Sequence, residues 1–245
     1  MHDFGRIVYL DFQKTGSSFV SQFLRAACLH PEIKLQKHVW IRQDYRPDAV
    51  YFTTIRQPVM LYSSLYRFGL EERGGVFKAI KSAGLISVYR SFESFLAFLL
   101  DEENAEILHP HYTRKVASEL GFLSFRHLLL SLQFPVEKVK AAIESNEPIT
   151  ALMGQSIISH VLKNEHLNAE LLRLSTEVLP EHFDVETARD FLDRSPRVNQ
   201  SKLLPDVVQL QSKDLVLQIE AKEAILLQYY HELDVTPRLA APIQA

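Results

Sequence analysis

The chain has 245 residues, 47% hydrophobic and 23% charged, with a formal net charge of −3 and one cysteine, Cys28. That length buries a full core, and the composition excludes a disordered chain, a collagen-like repeat and a disulfide scaffold. A lone thiol forms no internal bridge, so a reducing compartment is expected, and the lack of a basic surplus argues against bulk nucleic-acid binding.

Residues 6–12 (RIVYLDF) are a run of β-branched and aromatic residues that reads as a buried strand. Gln13 to Ser18 (QKTGSS) are turn formers. From Ser17 the pattern FVSQFLRAACL sets Phe19, Phe23 and Ala26 or Ala27 on one helical face, closed by Pro31. Residues 33–39 (IKLQKHV) and 49–55 (AVYFTTI) are the next strand candidates, the second nearly continuous as buried parallel strands are. Pro58 suits the first position of a helix through VMLYSSLYRF that stops at Gly69. Residues 67–90, rich in glycine and basic residues, leave open a mobile flap over an acceptor.

From Ser91 to about Lys163 the pattern reads helix after helix, punctuated by Pro110, Pro135 and Pro148. Residues 169–175 (AELLRLS) read as a returning fourth strand, 181–193 as a helix and 195–205 as a loop. Residues 207–233 read as one long helix with Leu215, Ile219, Leu226 and Tyr230 on a stripe, and residues 237–245 as a fraying tail. The alternation predicts an α/β fold: a parallel sheet of about four or five strands flanked by helices, in one domain over residues 1–240. Residues 75–165 would form a mainly helical insert. The longest purely apolar runs, such as residues 95–100, fall far short of the ~20 residues that span a bilayer. The start Met1-His2-Asp3 lacks the pattern of a secretory signal, so a cytoplasmic protein without a transmembrane segment is expected.

Residues 13–18 fall where an open α/β sheet binds ligands, at the carboxyl end of a strand. The first turn of the following helix has N–H groups without intrahelical partners and a partial positive charge. Gly16 lets the backbone approach a phosphate, Ser17 and Ser18 add hydroxyls, and Lys14 adds a full charge. A Walker A loop requires GxxxxGK[ST]; here Lys14 precedes Gly16 and positions 10–13 hold no glycine. An ordinary strand-to-helix turn with a solvated lysine accounts for the same residues.

Strand–QKTGSS–helix resembles the 5′-phosphosulfate loop of sulfotransferases that use 3′-phosphoadenosine 5′-phosphosulfate (PAPS), commonly written PKTGTT or PKxGSS. Gln13 stands where that loop usually has proline. The segment from Phe52 to Pro58 (FTTIRQP), followed by SSLYRF, is similar to the same family's 3′-phosphate motif, a strand ending in Arg-x-Pro with a serine eight residues after the arginine. Here these are Arg56 and Ser64, with Ser63 a near-equivalent. A guanidinium at a strand end grips a phosphate bidentately. A strand-end arginine paired with an acid and a helix-face serine are the plainer alternatives. Val198-Asn199-Gln200-Ser201-Lys202 looks like a late Asn-x-Ser segment of carbohydrate-type sulfotransferases.

The resemblance implies a P-loop-like three-layer fold and sulfuryl transfer from PAPS to a carbohydrate or small-metabolite acceptor, without a metal. It implies Lys14 at the bridging oxygen and Thr15, Gly16, Ser17, Ser18 and Phe19 around the 5′-phosphosulfate. Arg56 and Ser64 would hold the 3′-phosphate. The acceptor needs a base, and His38, at the end of the second strand candidate, is assigned that role, with His109, His111 and Glu177 in reserve. His160 and His166 form no HExxH pattern. Two other readings remain: a P-loop-like kinase or NTPase, for which Asp11 would have to bind a metal, and a non-catalytic nucleotide-binding protein.

Overall fold

A computed structural model describes residues 1–195 and 212–232. Along the chain run β1 (His2–Asp3), β2 (Ile7–Leu10), α1 (Ser17–Ala27), β3 (Lys34–Leu35), β4 (Val50–Ile55), α2 (Pro58–Leu70) and α3 (Gly75–Ser82). Next come α4 (Phe92–Leu100), α5 (Ala105–Leu108), α6 (Arg114–Glu119), α7 (Phe122–Ser131), α8 (Pro135–Ser145) and β5 (His160–Lys163). The last described elements are α9 (Leu167–Arg173), α10 (Val185–Arg194), α11 (Lys213–Lys222) and α12 (Ala224–Glu232). The chain divides into two units. One is Met1–Arg56 with Ile157–Asn199 and Gln228–Ala245; the other is Gln57–Ser156 with Gln200–Leu227. Among the described residues no helix is long and apolar enough to cross a membrane.

The first unit is built on a five-stranded open sheet of order β3-β1-β2-β4-β5. β2, β4 and β5 run parallel, whereas β1 is antiparallel to β2 and β3 antiparallel to β1. The sheet is therefore mixed, not all parallel as the sequence predicts. Ile7, Tyr9, Phe52 and Leu162 pack on one face against Phe19, Phe23 and Ala27 of α1 and Leu167, Leu171, Ala188 and Leu192 of α9 and α10. Val8, Leu10 and Tyr51 face Ile41 on the other. Burial on both faces explains why β2 and β4 read as continuous apolar runs. Ala26 is exposed, so Ala27 completes the buried face of α1.

Two strand assignments change. Residues 169–175 are helical, because Leu167, Leu171 and Leu174 recur at helical spacing and all enter the α1-side core. The third parallel strand is His160–Lys163, four residues that the sequence places inside a helical stretch. The strand expected over 33–39 shrinks to Lys34–Leu35, and the chain then turns at His38, whose φ is 57°. α10 starts after its cap Asp184, whose side chain accepts from Thr187 N–H at 3.1 Å, so 180–182 stays a 3-10 turn.

The second unit is helical. α2 begins at Pro58 and ends at Leu70, one residue past the predicted stop. Within residues 67–90, Val76, Phe77 and Ile80 of α3 and Tyr89 of the 3-10 turn Ile86–Arg90 are buried, whereas many of the others are exposed. The long helix expected over 207–233 is broken at Glu223 between α11 and α12; residues 207–211, the loop 196–205 and the tail 237–245 lie outside the described residues. Along the expected stripe, Ile219 and Leu226 are buried and Leu215 and Tyr230 half-buried.

The break coincides with a long-range contact. The Glu223 side chain is fully buried and accepts from Leu123 N–H at 3.2 Å, from Ser124 N–H at 2.6 Å and from the Tyr62 hydroxyl. It thereby caps the first turn of α7 from a hundred residues away. A Cβ on Gly121 would lie 2.1 Å from the Glu223 carboxylate, so only glycine fits ahead of that turn.

Burial, the larger influence, lifts the Glu223 carboxyl above the ordinary glutamate range, against the pull of the Tyr62 and Ser124 hydrogen bonds. A folded-state value above the unfolded one means that the native state binds the proton more tightly. Its contribution to stability is then complete below the unfolded value and is lost as pH rises through the folded value. Glu223→Gln removes that slope. Urea titrations of both forms are therefore expected to show the native chain losing stability relative to Glu223→Gln as pH rises, and a relative gain would overturn this account.

Candidate functional site

The parallel pairing is in register, Leu10↔Thr53 and Ile55↔Lys163, so β2, β4 and β5 all end on the same edge of the sheet. The segment 11–16 leaves β2 there and leads into α1. Thr15 is fully buried, and its hydroxyl donates to Phe12 C=O at 2.7 Å. Thr15 Oγ1 also lies 2.6 Å from Thr54 Oγ1, and Thr54 Oγ1 lies 2.7 Å from the Tyr9 hydroxyl. Since each hydroxyl has one proton, the chain has one direction: Tyr9 donates to Thr54, Thr54 to Thr15, and Thr15 to the Phe12 carbonyl. The loop is thus pinned to β2 and β4 by buried hydrogen bonds, and Thr53 adds one to Leu10 C=O at 2.6 Å.

Lys14 and Gly16 both have positive φ, 69° and 90°. At Gly16 a Cβ would also meet Asn164 Nδ2 and Leu167 Cδ2 at 2.8 Å each, so the loop rests directly on the chain that follows β5. Gly16 caps α1 without a side-chain hydrogen bond, and the first turn holds no acidic residue. Phe19 and Val20 donate their N–H groups to Gly16 C=O at 2.9 and 3.1 Å. Phe19 buries its ring against Phe191 at 5.6 Å. An anion at this helix start would therefore meet the amides of Ser17 and Ser18, not that of Phe19. Ser17, Ser18 and Lys14 are half-buried, open to the surface on one side. Thr15 contributes through the hydroxyl chain, with its side chain already engaged.

Arg56 follows Ile55 directly, at the end of the strand beside β2. It shares the sheet edge with the Lys14 loop, in the order the sequence motifs require. Lys163, which sequence reading passes over because β5 was not visible, ends the third parallel strand; its ammonium lies 4.6 Å from the centre of the Tyr230 ring. Ser64 and Ser63 sit in α2, both buried, at 8% and 5% exposure, and belong to the second unit. The pairing of Ser64 with Arg56 rests on sequence spacing. Residues 198–202 lie outside the described residues.

His38 reaches the same edge by a route that the strand pattern does not show. Its backbone N–H donates to Asp11 Oδ1 at 2.9 Å, and its Nδ1 lies 3.1 Å from Asp11 C=O and 3.2 Å from Asp11 Oδ2. Asp11 is itself buried, and the Met1 amino group also bonds its Oδ1. The carboxylate named above as a metal ligand for a kinase is turned onto a histidine and an amine. Of the reserve bases, His109 lies in the second unit, where burial and then His111 and Arg126 push it down to about 4, a weak base. His111 and Glu177 are exposed. Ser21, His2 and Glu32 resemble a hydrolytic triad in composition only, since both Ser21 Oγ and Glu32 Oε1 contact the same ring nitrogen, at 3.2 and 2.8 Å. Among the described residues no three His, Cys, Asp or Glu side chains are grouped to hold a metal ion.

No protein-family model matches the chain, and neither a curated protein nor a solved structure matches it.

Gly16→Ala forces a Cβ into a left-handed position already filled by Asn164 and Leu167. It is expected to cost about 1–3 kcal/mol of stability, read as a lower urea midpoint at unchanged slope. A midpoint equal to that of the native chain would mean that the loop is not seated as described.

Proposed function

We propose that the chain is a PAPS-dependent sulfotransferase on a P-loop-like fold, acting on a hydroxyl, or an amine, of a carbohydrate or other small metabolite. The observation that carries the reading is the common edge of β2 and β4. A cationic, acid-free helix start follows one strand and a guanidinium follows its parallel neighbour. A donor set of this kind suits a ligand with anionic groups at two points. PAPS when bound supplies an activated sulfuryl group whose leaving group is 3′-phosphoadenosine 5′-phosphate (PAP).

In this reading the Ser17 and Ser18 amides and hydroxyls hold the 5′-phosphosulfate, and Arg56 takes the 3′-phosphate. His38 Nε2 accepts the proton of the acceptor hydroxyl as its oxygen bonds to sulfur. The bond from sulfur to the bridging oxygen breaks, its electron pair stays on the departing phosphate, and Lys14 neutralises the charge that develops there. The protein thus contributes positioning and electrostatics more than covalent chemistry.

PAP without metal is expected to raise the melting temperature by several degrees, because a ligand that binds only the folded state stabilises it. Protection by ATP–Mg²⁺ and not by PAP would replace this reading with a kinase or NTPase, and protection by neither would remove the nucleotide site. In a PAPS-to-PAP turnover assay with a saccharide acceptor panel, Lys14→Ala should lose on the order of 10²–10³ in kcat. His38→Ala should lose on the order of 10²–10⁴ while PAP still protects. Unchanged turnover in either variant would remove the role given to that residue.

A further inference from the structure

We infer that Asp11 is the positioning residue of His38, fixing which ring nitrogen carries the proton and where the other one points. The inference rests on the base role proposed for His38, and it adds a residue that the sequence motifs do not contain.

The argument begins with the backbone. His38 has φ 57°, a left-handed conformation that a non-glycine residue adopts at a cost and keeps only when its surroundings hold it. Asp11 does so with its side chain and its main chain: Oδ1 takes the backbone N–H and the Asp11 carbonyl takes the ring. Oδ1 accepts the His38 backbone N–H at 2.9 Å, while Oδ2 lies 3.2 Å from Nδ1 of the same residue. One residue therefore holds the main chain of His38 through Oδ1 and its ring through the Asp11 carbonyl, which sets both the turn and the ring's rotation, while Oδ2 lies beside the ring without a hydrogen bond of its own. Asp11 is 1% exposed, so its side chain cannot swing away into solvent as a surface acid does.

The protonation pattern follows from the same contacts. The oxygen bonded to Nδ1 is the Asp11 carbonyl at 3.1 Å, an acceptor that has no proton to give, and Oδ2 lies nearby at 3.2 Å. Nδ1 must then be the ring's N–H, which in the neutral imidazole leaves the lone pair on Nε2. A general base needs that lone pair, and at 36% side-chain exposure the ring is accessible to an acceptor. The remaining charged group on the carboxylate is the Met1 amino group, which bonds Oδ1 and donates to Gln36 C=O at 2.5 Å. Oδ2 stays buried beside the ring without a hydrogen-bond partner. Aspartate at position 11 thus joins the strand end that carries the anion loop to the residue that removes the acceptor's proton.

The test reads the ring directly. Long-range ¹H–¹⁵N spectra of the histidine rings, with His38 identified by its loss in His38→Ala, are expected to show neutral His38 protonated at Nδ1. Asp11→Asn can set an amide donor where Oδ2 lies 3.2 Å from Nδ1, in competition with the Asp11 carbonyl that keeps the proton there, so the spectrum should become a mixture of both tautomers. kcat should fall about 10- to 100-fold, the scale on which removing the hydrogen-bond partner of a functional histidine acts, with the KM for PAPS little changed. In a His38→Ala background the same substitution should cost no further kcat, since Asp11 acts through the ring.

A native ring protonated at Nε2 would overturn the inference even if the variant fails to fold. So would full kcat in Asp11→Asn, or an equal loss with and without His38. If the native ring is protonated at Nδ1 and Asp11→Asn mixes the tautomers, yet the native chain transfers no sulfuryl group, the proposed function falls. The hold of Asp11 on His38 then stands.

Discussion

Four parallel pairs, from Ile7↔Val50 to Leu10↔Thr53, tie β2 to β4, and four more tie β4 to β5. A slip of one residue in this ladder would exchange the two faces of a strand. It would move Tyr9 and Thr54 away from Thr15, and the loop after β2 would lose its buried support. The same register brings the ends of β2 and β4 level. Lys14 and Arg56 come from segments some forty residues apart and share an edge only because that ladder is in register.

The buried polar groups near this edge fall into two sets with separate tasks. Tyr9, Thr54 and Thr15 form a one-way hydroxyl chain that ends on a backbone carbonyl and fixes the loop. Asp11 and His38 form a second set that faces outward at the histidine ring. Fully satisfied buried hydrogen bonds rigidify a segment, whereas half-satisfied ones destabilise it. The loop is pinned from below, and Ser17 and Ser18 at the helix start stay half-buried. Preorganised donors of this kind act on a developing charge without having to rearrange.

The helical unit solves a different problem with the same chemistry. Its α7 would begin with orphaned N–H groups inside an apolar environment, rich in Phe122, Phe125 and Leu128. Glu223 answers them from the junction of α11 and α12, and Gly121 leaves room for its carboxylate. The helix break there follows from a requirement of another helix. Nothing in the local sequence of residues 213–232 calls for one.

Sequence alone determined the strand–loop–helix opening, the helix start at Pro58, the continuous core strands and the cations that follow them. Those features depend on neighbours: turn formers at 13–18, a proline whose fixed φ suits a first helical turn, and apolar runs buried on both faces. Tertiary structure alone decided that 160–163 is a strand and that 169–175 is helical. It also decided that Glu223 interrupts a helix and that His38 meets Asp11. In each case the deciding partner is far along the chain: Phe52 for His160, the α1-side core for Leu171, Ser124 for Glu223, and a carboxylate 27 residues back for His38. Local propensity separates such alternatives weakly, and a buried hydrogen bond or a packed face formed across that distance outweighs it.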